Sequence, residues 1–248
     1  MTVAIIAGLI TFAVTTLVTT AGVGAAFVLI PIFIALGVDV RVAMATCLLL
    51  NSVALLVALP RFAKNRLVVW KTAVPILIAA SLLSPAGAYV SHYLDRDLLL
   101  WIFVGFLLFA SSMMLFYSPQ QREDASSKKL AGYGAGAGGF AGFMAGLLGV
   151  GGGNFINPTL VGLGFDPKKA SATTSFVVIF SSLAGFLSHA SLGNFDLLLV
   201  LCAGAGSAGG ALLGSWLMTE RLRSKHVKKI IGVILLMLAA KMVYDLLV

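Results

Sequence analysis

The chain has 248 residues, of which 60% are hydrophobic and 10% charged, and its mean hydropathy is +1.05. A soluble domain usually carries about 25% charged residues, so this composition excludes a water-exposed globule, a disordered tail and a disulfide-stapled secreted module. The net charge of +8 does not indicate nucleic-acid binding, because the basic residues lie in short loops between apolar runs, where they act as orientation signals. The composition predicts a polytopic membrane protein.

Apolar runs divide the chain into eight segments. Six have the length of one membrane span of about 20 residues, and they cover residues 42–60, 68–92, 98–117, 170–188, 195–218 and 227–248. Two longer runs, 3–37 and 130–165, are interrupted by glycine at Gly22–Gly24 and Gly149–Gly153. The arms that follow these glycines have about 12 residues and are too short to cross a bilayer at about 1.5 Å per residue. We expect each long run to form a re-entrant helical hairpin.

The two glycine breaks reveal an internal repeat. A shift of 127 residues superimposes ten identical residues within 25 ungapped positions, among them Gly22, which falls on Gly149. The repeats cover residues 1–124 and 128–248 and are joined by the polar stretch 118–129. We expect them to form one integrated membrane domain.

The distribution of Lys and Arg indicates how the repeats are oriented. If both long runs enter and leave on one side, 14 basic residues lie in cytoplasmic loops and 3 lie outside. If the run 130–165 crosses once instead, the counts are 8 and 9. The positive-inside rule favours the first arrangement. The predicted fold class is therefore an all-α polytopic membrane protein with two inverted-topology repeats, each a broken hairpin plus three transmembrane helices, and with both termini outside the cytoplasm.

The stretch Gly149–Gly153, followed by Asn154 and Asn157, carries the most informative functional signal. Glycine lets a backbone approach a ligand closely, and free N–H groups at a helix start favour an anion. Discontinuous helices of transporters use this device near the middle of the membrane. Two alternatives are that the glycines serve only tight packing, or that Asn157-Pro158 begins the helix. Because the breaks recur as a pair, we predict an anion site at them.

Uncharged donors follow both breaks in the sequence. Hydroxyl and amide groups can donate to an oxyanion without carrying charge, although Ser and Thr in helices often bond their own backbone instead. The predicted substrate-binding residues are Gly22, Gly24, Thr46, Asn51, Gly151, Gly152, Gly153, Asn154, Asn157, Thr173, Thr174 and Ser175.

Other motifs are less specific. Two glycine series at i, i+4 spacing favour close helix packing over dinucleotide binding; they are Gly134, Gly138, Gly142 and Gly146, and Gly206, Gly210 and Gly214. His189 is a candidate for proton coupling, with a purely structural role as the alternative. The sequence contains no recognised catalytic or metal-ligand motif, so we expect no enzymatic activity, no cofactor and no metal site.

These motifs resemble those of the sulfite exporter TauE/SafE family of membrane permeases. The resemblance rests on Gly149–Pro158, on Ala170–Ser175, and on His189 with Gly193–Asp196, with a weaker echo at Gly22–Gly24. It implies secondary transport of small sulfur-containing oxyanions, such as sulfite or organosulfonates, usually in the export direction. In the first half, Ala25 and Ala26 replace the glycines that the family pattern carries over to Gly151–Gly153 in the second.

We therefore expect a proton-coupled exporter of sulfite or an organosulfonate such as sulfoacetate, working by alternating access in the cell membrane. The alternatives are a passive anion channel, an importer of small sulfonates or carboxylates, and a non-transporting membrane scaffold. The paired breaks argue against a scaffold, which needs no non-helical backbone inside a bilayer. The expected partners are the oxyanion and the lipid bilayer, and the oligomeric state stays open, a homo-oligomer included.

Overall fold

The structure is a computed structural model that describes residues 2–21, 24–91, 93, 96–116, 132, 135–136, 138–144, 153–190 and 197–247. Within these residues the chain is helical and contains no strand, which confirms the all-α prediction. The helices are α1 (Thr2–Ala21), α2 (Ala26–Ala35), α3 (Val40–Lys64), α4 (Trp70–Ser91), α5 (Arg96–Phe116), α6 (138–144), α7 (Gly153–Gly162), α8 (Pro167–Ala190), α9 (Leu197–Trp216) and α10 (Ser224–Leu247). A π-helical turn, Leu217–Arg221, continues α9.

The distribution of apolar and polar side chains over the helices is that of a protein surrounded by lipid. Three stretches of the described chain are long and apolar enough to cross a membrane, namely Ala4–Ala21, Ala45–Lys64 and Leu197–Arg221. Large apolar side chains such as Phe109 and Phe116 are exposed on the surface. The buried polar residues of the described part are all Thr, Ser or Asn. The number of membrane crossings and the boundaries of the two repeats stay predictions.

The helix boundaries follow the spacing of the sequence repeat. Helices α2, α3 and α4 each begin 127 residues before α7, α8 and α9. The turns after α2 and α7 contain Gly37 and Gly164 with φ of 86° and 93°, a conformation that glycine adopts without strain at the end of a helix. Asp39 and Asp166 then accept backbone N–H groups at the start of the next helix. The shared Leu-Gly-x-Asp sequence is therefore a helix stop followed by a helix start.

Helices α3 and α8 lie at corresponding positions of the two predicted repeats and pack against each other. Asn51 Nδ2 donates to Ser182 Oγ at 2.6 Å, and Leu55 packs with Val178 and Ile179. Residue numbers rise along α3 as they fall along α8, so the two helices are antiparallel. This direction is the one that inverted repeats require of equivalent helices.

Glycine allows the helices of two other pairs to pack so closely that their backbones are in contact. A Cβ added to Gly210 of α9 would lie 2.5 Å from Phe12 O of α1, and its neighbours in the series are equally close to α1. A Cβ on Gly138 of α6 would lie 2.5 Å from Ile76 Cα of α4, and Gly142 is packed in the same way. The packing prediction is confirmed for these glycines. The two members of the series that flank Gly138 and Gly142 lie outside the described residues.

Charged side chains from separate loops meet at one end of the bundle. Arg61, near the end of α3, pairs with Glu220 at 3.4 Å. Lys168, at the start of α8, donates from Nζ to Thr219 O at 3.2 Å. Trp216 Nε1 donates to Glu220 Oε2 at 2.7 Å. These residues come from stretches that the charge bias assigns to the cytoplasm, and the structure places them together.

Candidate anion site at the two helix breaks

The break between α1 and α2 lies against the middle of α3. Asn51 is buried, stands near the midpoint of this 25-residue helix, and its Oδ1 accepts the Ala25 N–H at 2.7 Å. A Cβ added to Gly24 would lie 2.7 Å from Asn51 Nδ2. A side chain at this position would displace the Asn51 amide, which lies directly against the Gly24 backbone.

The start of α7 lies against the middle of α8. Gly153, the first residue of α7, is buried. A Cβ added to it would lie 2.8 Å from Val178 Cγ2, 3.5 Å from Gly24 N and 3.7 Å from Thr174 Cγ2. The start of α7 therefore adjoins the first break, between the central turns of α3 and α8.

Side chains of the second half cap the end of α1. Asn157 Nδ2 at 2.5 Å and Ser171 Oγ at 2.8 Å both donate to Ala21 O, the last carbonyl of this helix. Asn157 Nδ2 also donates to Ser171 Oγ at 3.0 Å. The final carbonyls of a helix have no partner within it, and leaving one unpaired in an apolar interior is costly. These bonds satisfy one such carbonyl and join the two halves at the first break.

Three buried polar atoms on the predicted site residues lack a partner within the described part of the chain. They are Thr46 Oγ1, Thr174 Oγ1 and Asn157 Oδ1, and all three residues are fully buried. An unpaired buried polar atom costs about 1–3 kcal/mol, so such atoms indicate where a ligand or water binds. Thr174 also contacts the start of α7 through its methyl group.

Two other predicted hydroxyls already have partners in the protein. Thr173 Oγ1 accepts the Val69 N–H at 3.1 Å. Ser175 Oγ donates to Ser171 O, one turn earlier in its own helix, at 2.9 Å. This is the backbone bonding that Ser and Thr commonly make in helices.

The remaining predicted residues lie wholly or partly outside the described part of the chain. Gly22, Gly151 and Gly152 lie outside the described residues. Asn154 is in the first turn of α7 and His189 in the last turn of α8, and their side chains lie outside the described part.

Ser182 was missed by the sequence analysis. Its hydroxyl oxygen accepts from Asn51 and so joins α8 to α3. The available signal was its position seven residues after Ser175, which places both serines on one face of α8. Polar residues repeating on one face of an apolar helix indicate a buried polar seam.

The described donors near the breaks are neutral. The side chains named above are hydroxyls and amides, and Thr174 among them contacts the start of α7, the positive end of its helix dipole. Within the described residues, no group of three or more His, Cys, Asp or Glu side chains is placed to hold a metal ion. The arrangement suits an anion that accepts hydrogen bonds from several uncharged groups.

Long apolar helices, with a helix break that adjoins the start of another helix, are typical of helical membrane proteins of the transporter class. The model of the sulfite exporter TauE/SafE family matches residues 7–242. Because this match covers nearly the whole chain, the protein belongs to the TauE/SafE family of membrane transporters. The resemblance carried by Gly149–Pro158 is confirmed.

Curated relatives agree with this assignment. The probable membrane transporter protein YunE of Bacillus subtilis is 26% identical over 250 residues, which cover 90% of this chain and 91% of YunE. The probable membrane transporter protein MJ0441 of Methanocaldococcus jannaschii is 27% identical over 180 residues, or 68% and 65% of the two chains. Sulfite exporter TauE/SafE family protein 1 of Arabidopsis thaliana is 43% identical over 53 residues, 21% and 12% of the two chains. No solved structure matches the chain at a significant level.

Replacing Asn51 with leucine should destabilise the protein by about 1–3 kcal/mol. The substitution keeps the approximate shape of the side chain but leaves the Ala25 N–H without its acceptor and Ser182 Oγ without its donor. The measurement is the midpoint of thermal unfolding in detergent. Ser175→Ala serves as the control and should change stability by less than about 1 kcal/mol, because its hydroxyl bonds only its own helix. Equal effects of the two substitutions would contradict the bridging role of Asn51.

Proposed function

We propose that this protein is a secondary transporter that exports small sulfur-containing oxyanions, such as sulfite or sulfoacetate, across the cell membrane, and that it has no enzymatic activity. The observation that carries the proposal is the contact between Gly153, at the start of α7, and Thr174, whose buried hydroxyl has no partner among the described residues. The positive end of the α7 dipole and a free hydroxyl both favour an anion. Neutral donors bind through hydrogen bonds alone, which suits a site that must also release its substrate.

The proposed mechanism is alternating access between two inverted repeats. The antiparallel packing of α3 against α8 supports the inversion. The hydrogen bonds between the halves, from Asn51 to Ser182 and from Asn157 to Ala21 O, lie at the breaks. Movement of one half against the other would therefore rearrange the groups around the substrate, which is the behaviour expected of a transporter with its site between repeats.

The proposed orientation puts the end containing Arg61 and Glu220 in the cytoplasm and both termini outside, because most basic residues then lie inside. Asn65, in the turn after α3, and Tyr93, after α4, are both exposed and lie at opposite ends of α4. They provide matched positions for a test of this orientation.

In a background with Cys47 and Cys202 replaced by alanine, Asn65→Cys should react with a membrane-impermeant maleimide only after the cells are permeabilised. Tyr93→Cys should react on intact cells, because its loop is predicted to face outward. The measurement is the labelled fraction of each variant before and after permeabilisation. The reverse labelling pattern would contradict the proposed orientation.

Replacing Thr174 with valine should lower the initial rate of sulfite transport in proteoliposomes by about fivefold or more. Valine has the shape of threonine and removes only the hydroxyl that is proposed to donate to the anion. Thermal stability should stay the same or rise, because the hydroxyl is unpaired among the described residues without substrate. This combination distinguishes a lost ligand contact from a damaged fold.

The matched control is Ser181→Ala on the exposed face of the same helix, whose hydroxyl donates to Val178 O. It should transport sulfite at the rate of the unsubstituted protein. Transport by Thr174→Val at that same rate would contradict the site assignment. If the unsubstituted protein moves neither sulfite nor any sulfonate, the proposed function is wrong.

Proton coupling is proposed through His189, the histidine near the end of α8. An imposed pH gradient should drive the unsubstituted protein to concentrate a sulfonate across a vesicle membrane. A sulfonate is the suitable probe because it does not titrate near neutral pH. His189→Gln should lose this accumulation but keep downhill movement. Accumulation that never exceeds equilibrium in the unsubstituted protein would indicate a passive channel instead.

A further inference from the structure

We propose that Asn157 selects the substrate as a hydrogen-bond acceptor, so that the preferred ligand is a short organosulfonate that carries a hydroxyl group at its other end. The uncommitted atom of the buried Asn157 amide is Oδ1, which can accept a hydrogen bond but cannot donate one. This inference rests on the proposed function and narrows the substrate class of the same site. It also changes the role of Asn157, which the sequence pattern predicts as a donor to the anion.

The orientation of the Asn157 amide is fixed by the end of α1. Ala21 O lies 2.5 Å from one polar atom of this amide, and a backbone carbonyl can only accept a hydrogen bond. The atom that faces the carbonyl is therefore the nitrogen, Nδ2, because an amide oxygen would be repelled there. The contact with Ala21 thus settles which side of the amide carries the oxygen.

Both protons of Asn157 Nδ2 are used inside the protein. One is donated to Ala21 O and the other to Ser171 Oγ at 3.0 Å. Ser171 cannot donate in return, because its single hydroxyl proton goes to Ala21 O at 2.8 Å. The capacity that remains to Asn157 is the pair of acceptor positions on Oδ1. This atom is fully buried and has no partner within the described part of the chain.

Asn157 lies close to the proposed oxyanion site. It follows Gly153 by one turn of α7, and its partner Ser171 precedes Thr174 by three residues in α8. Gly153 and Thr174 contact each other. The Asn157 amide is therefore about one helical turn, or roughly 5 Å along α7, from this contact. Such a separation suits a ligand whose two polar ends are joined by a two-carbon chain.

The three unpaired atoms near the first break differ in what they require of a ligand. The hydroxyls of Thr46 and Thr174 can donate to an oxyanion, whereas Asn157 Oδ1 requires a donor. A ligand that only accepts would leave Oδ1 unpaired in an apolar interior, at a cost in affinity. A hydroxyalkanesulfonate satisfies both kinds of atom, because its sulfonate group accepts hydrogen bonds and its hydroxyl group donates one.

The test compares two ligands of nearly the same shape on the full-length protein. Hydroxyethanesulfonate has a hydroxyl group where propanesulfonate has a methyl group. The unsubstituted protein should bind hydroxyethanesulfonate about tenfold more tightly, because only this ligand can donate to Asn157 Oδ1. The measurement is the dissociation constant of each sulfonate by calorimetry in detergent.

Two variants then assign the preference to Asn157. Asn157→Leu should lower the ratio of the two dissociation constants to about one, because leucine resembles asparagine in shape but has no acceptor. Ser171→Ala is the matched control, since it also removes one hydrogen bond to Ala21 O but retains Oδ1 and the bond that orients the amide. Both variants should unfold at a lower temperature, whereas only Asn157→Leu should change the ratio. Comparing ratios between variants also cancels the different hydration of the two ligands.

The outcomes separate this inference from the proposed function. A preference for hydroxyethanesulfonate that Ser171→Ala keeps and Asn157→Leu loses supports the inference. Equal affinities of the unsubstituted protein for the two sulfonates would overturn it and leave the proposed function intact. A preference that Asn157→Leu keeps, or that Ser171→Ala loses, would overturn it as well.

If Asn157→Leu does not fold, the comparison of the two ligands on the unsubstituted protein and on Ser171→Ala still decides between these outcomes. If the unsubstituted protein binds neither sulfite nor either sulfonate, the proposed function and this inference are both wrong.

Discussion

A helix that breaks inside an apolar interior frees backbone groups that must find new partners, and the arrangement of this protein depends on how that requirement is met. In a bilayer no water is available to satisfy them. The last carbonyl of α1 is satisfied by Asn157 and Ser171, and the Ala25 N–H is satisfied by Asn51. Two of these three residues lie in the other half of the chain. Satisfying the first break therefore requires the halves to pack together, and it places the second break alongside.

The same requirement explains why the buried polar side chains of the described residues are uncharged. A charged group at the centre of an apolar bundle carries a large desolvation cost, whereas hydroxyls and amides satisfy backbone groups at lower cost. Charged residues such as Arg61 and Glu220 lie at one end instead, where they are partly exposed. A family of transporters named for an anion thus has, in this member, neutral donors at the breaks and cations at the end of the bundle.

Much of the architecture was predictable because it follows from local patterns. The glycine series gave the close approach of α9 to α1, and the repeated Leu-Gly-x-Asp sequence is explained by two equivalent turns at Gly37 and Gly164. The candidate site was only partly predictable. Thr174 and Ser175 are adjacent and chemically similar, yet the Ser175 hydroxyl bonds its own helix while that of Thr174 is unpaired among the described residues. The sequence does not distinguish these two residues. The difference between their hydroxyls depends on which side of α8 each residue faces.

The sequence by itself determined the membrane character, the all-α class, the family and the positions of both glycine breaks, since composition, hydrophobic run length and short motifs are properties of neighbouring residues. Only the tertiary structure decided which polar groups are committed and which are free. The bond between Asn51 and Ser182 joins residues 131 positions apart. Such pairings arise from the packing of antiparallel helices from two halves, and no local pattern encodes them.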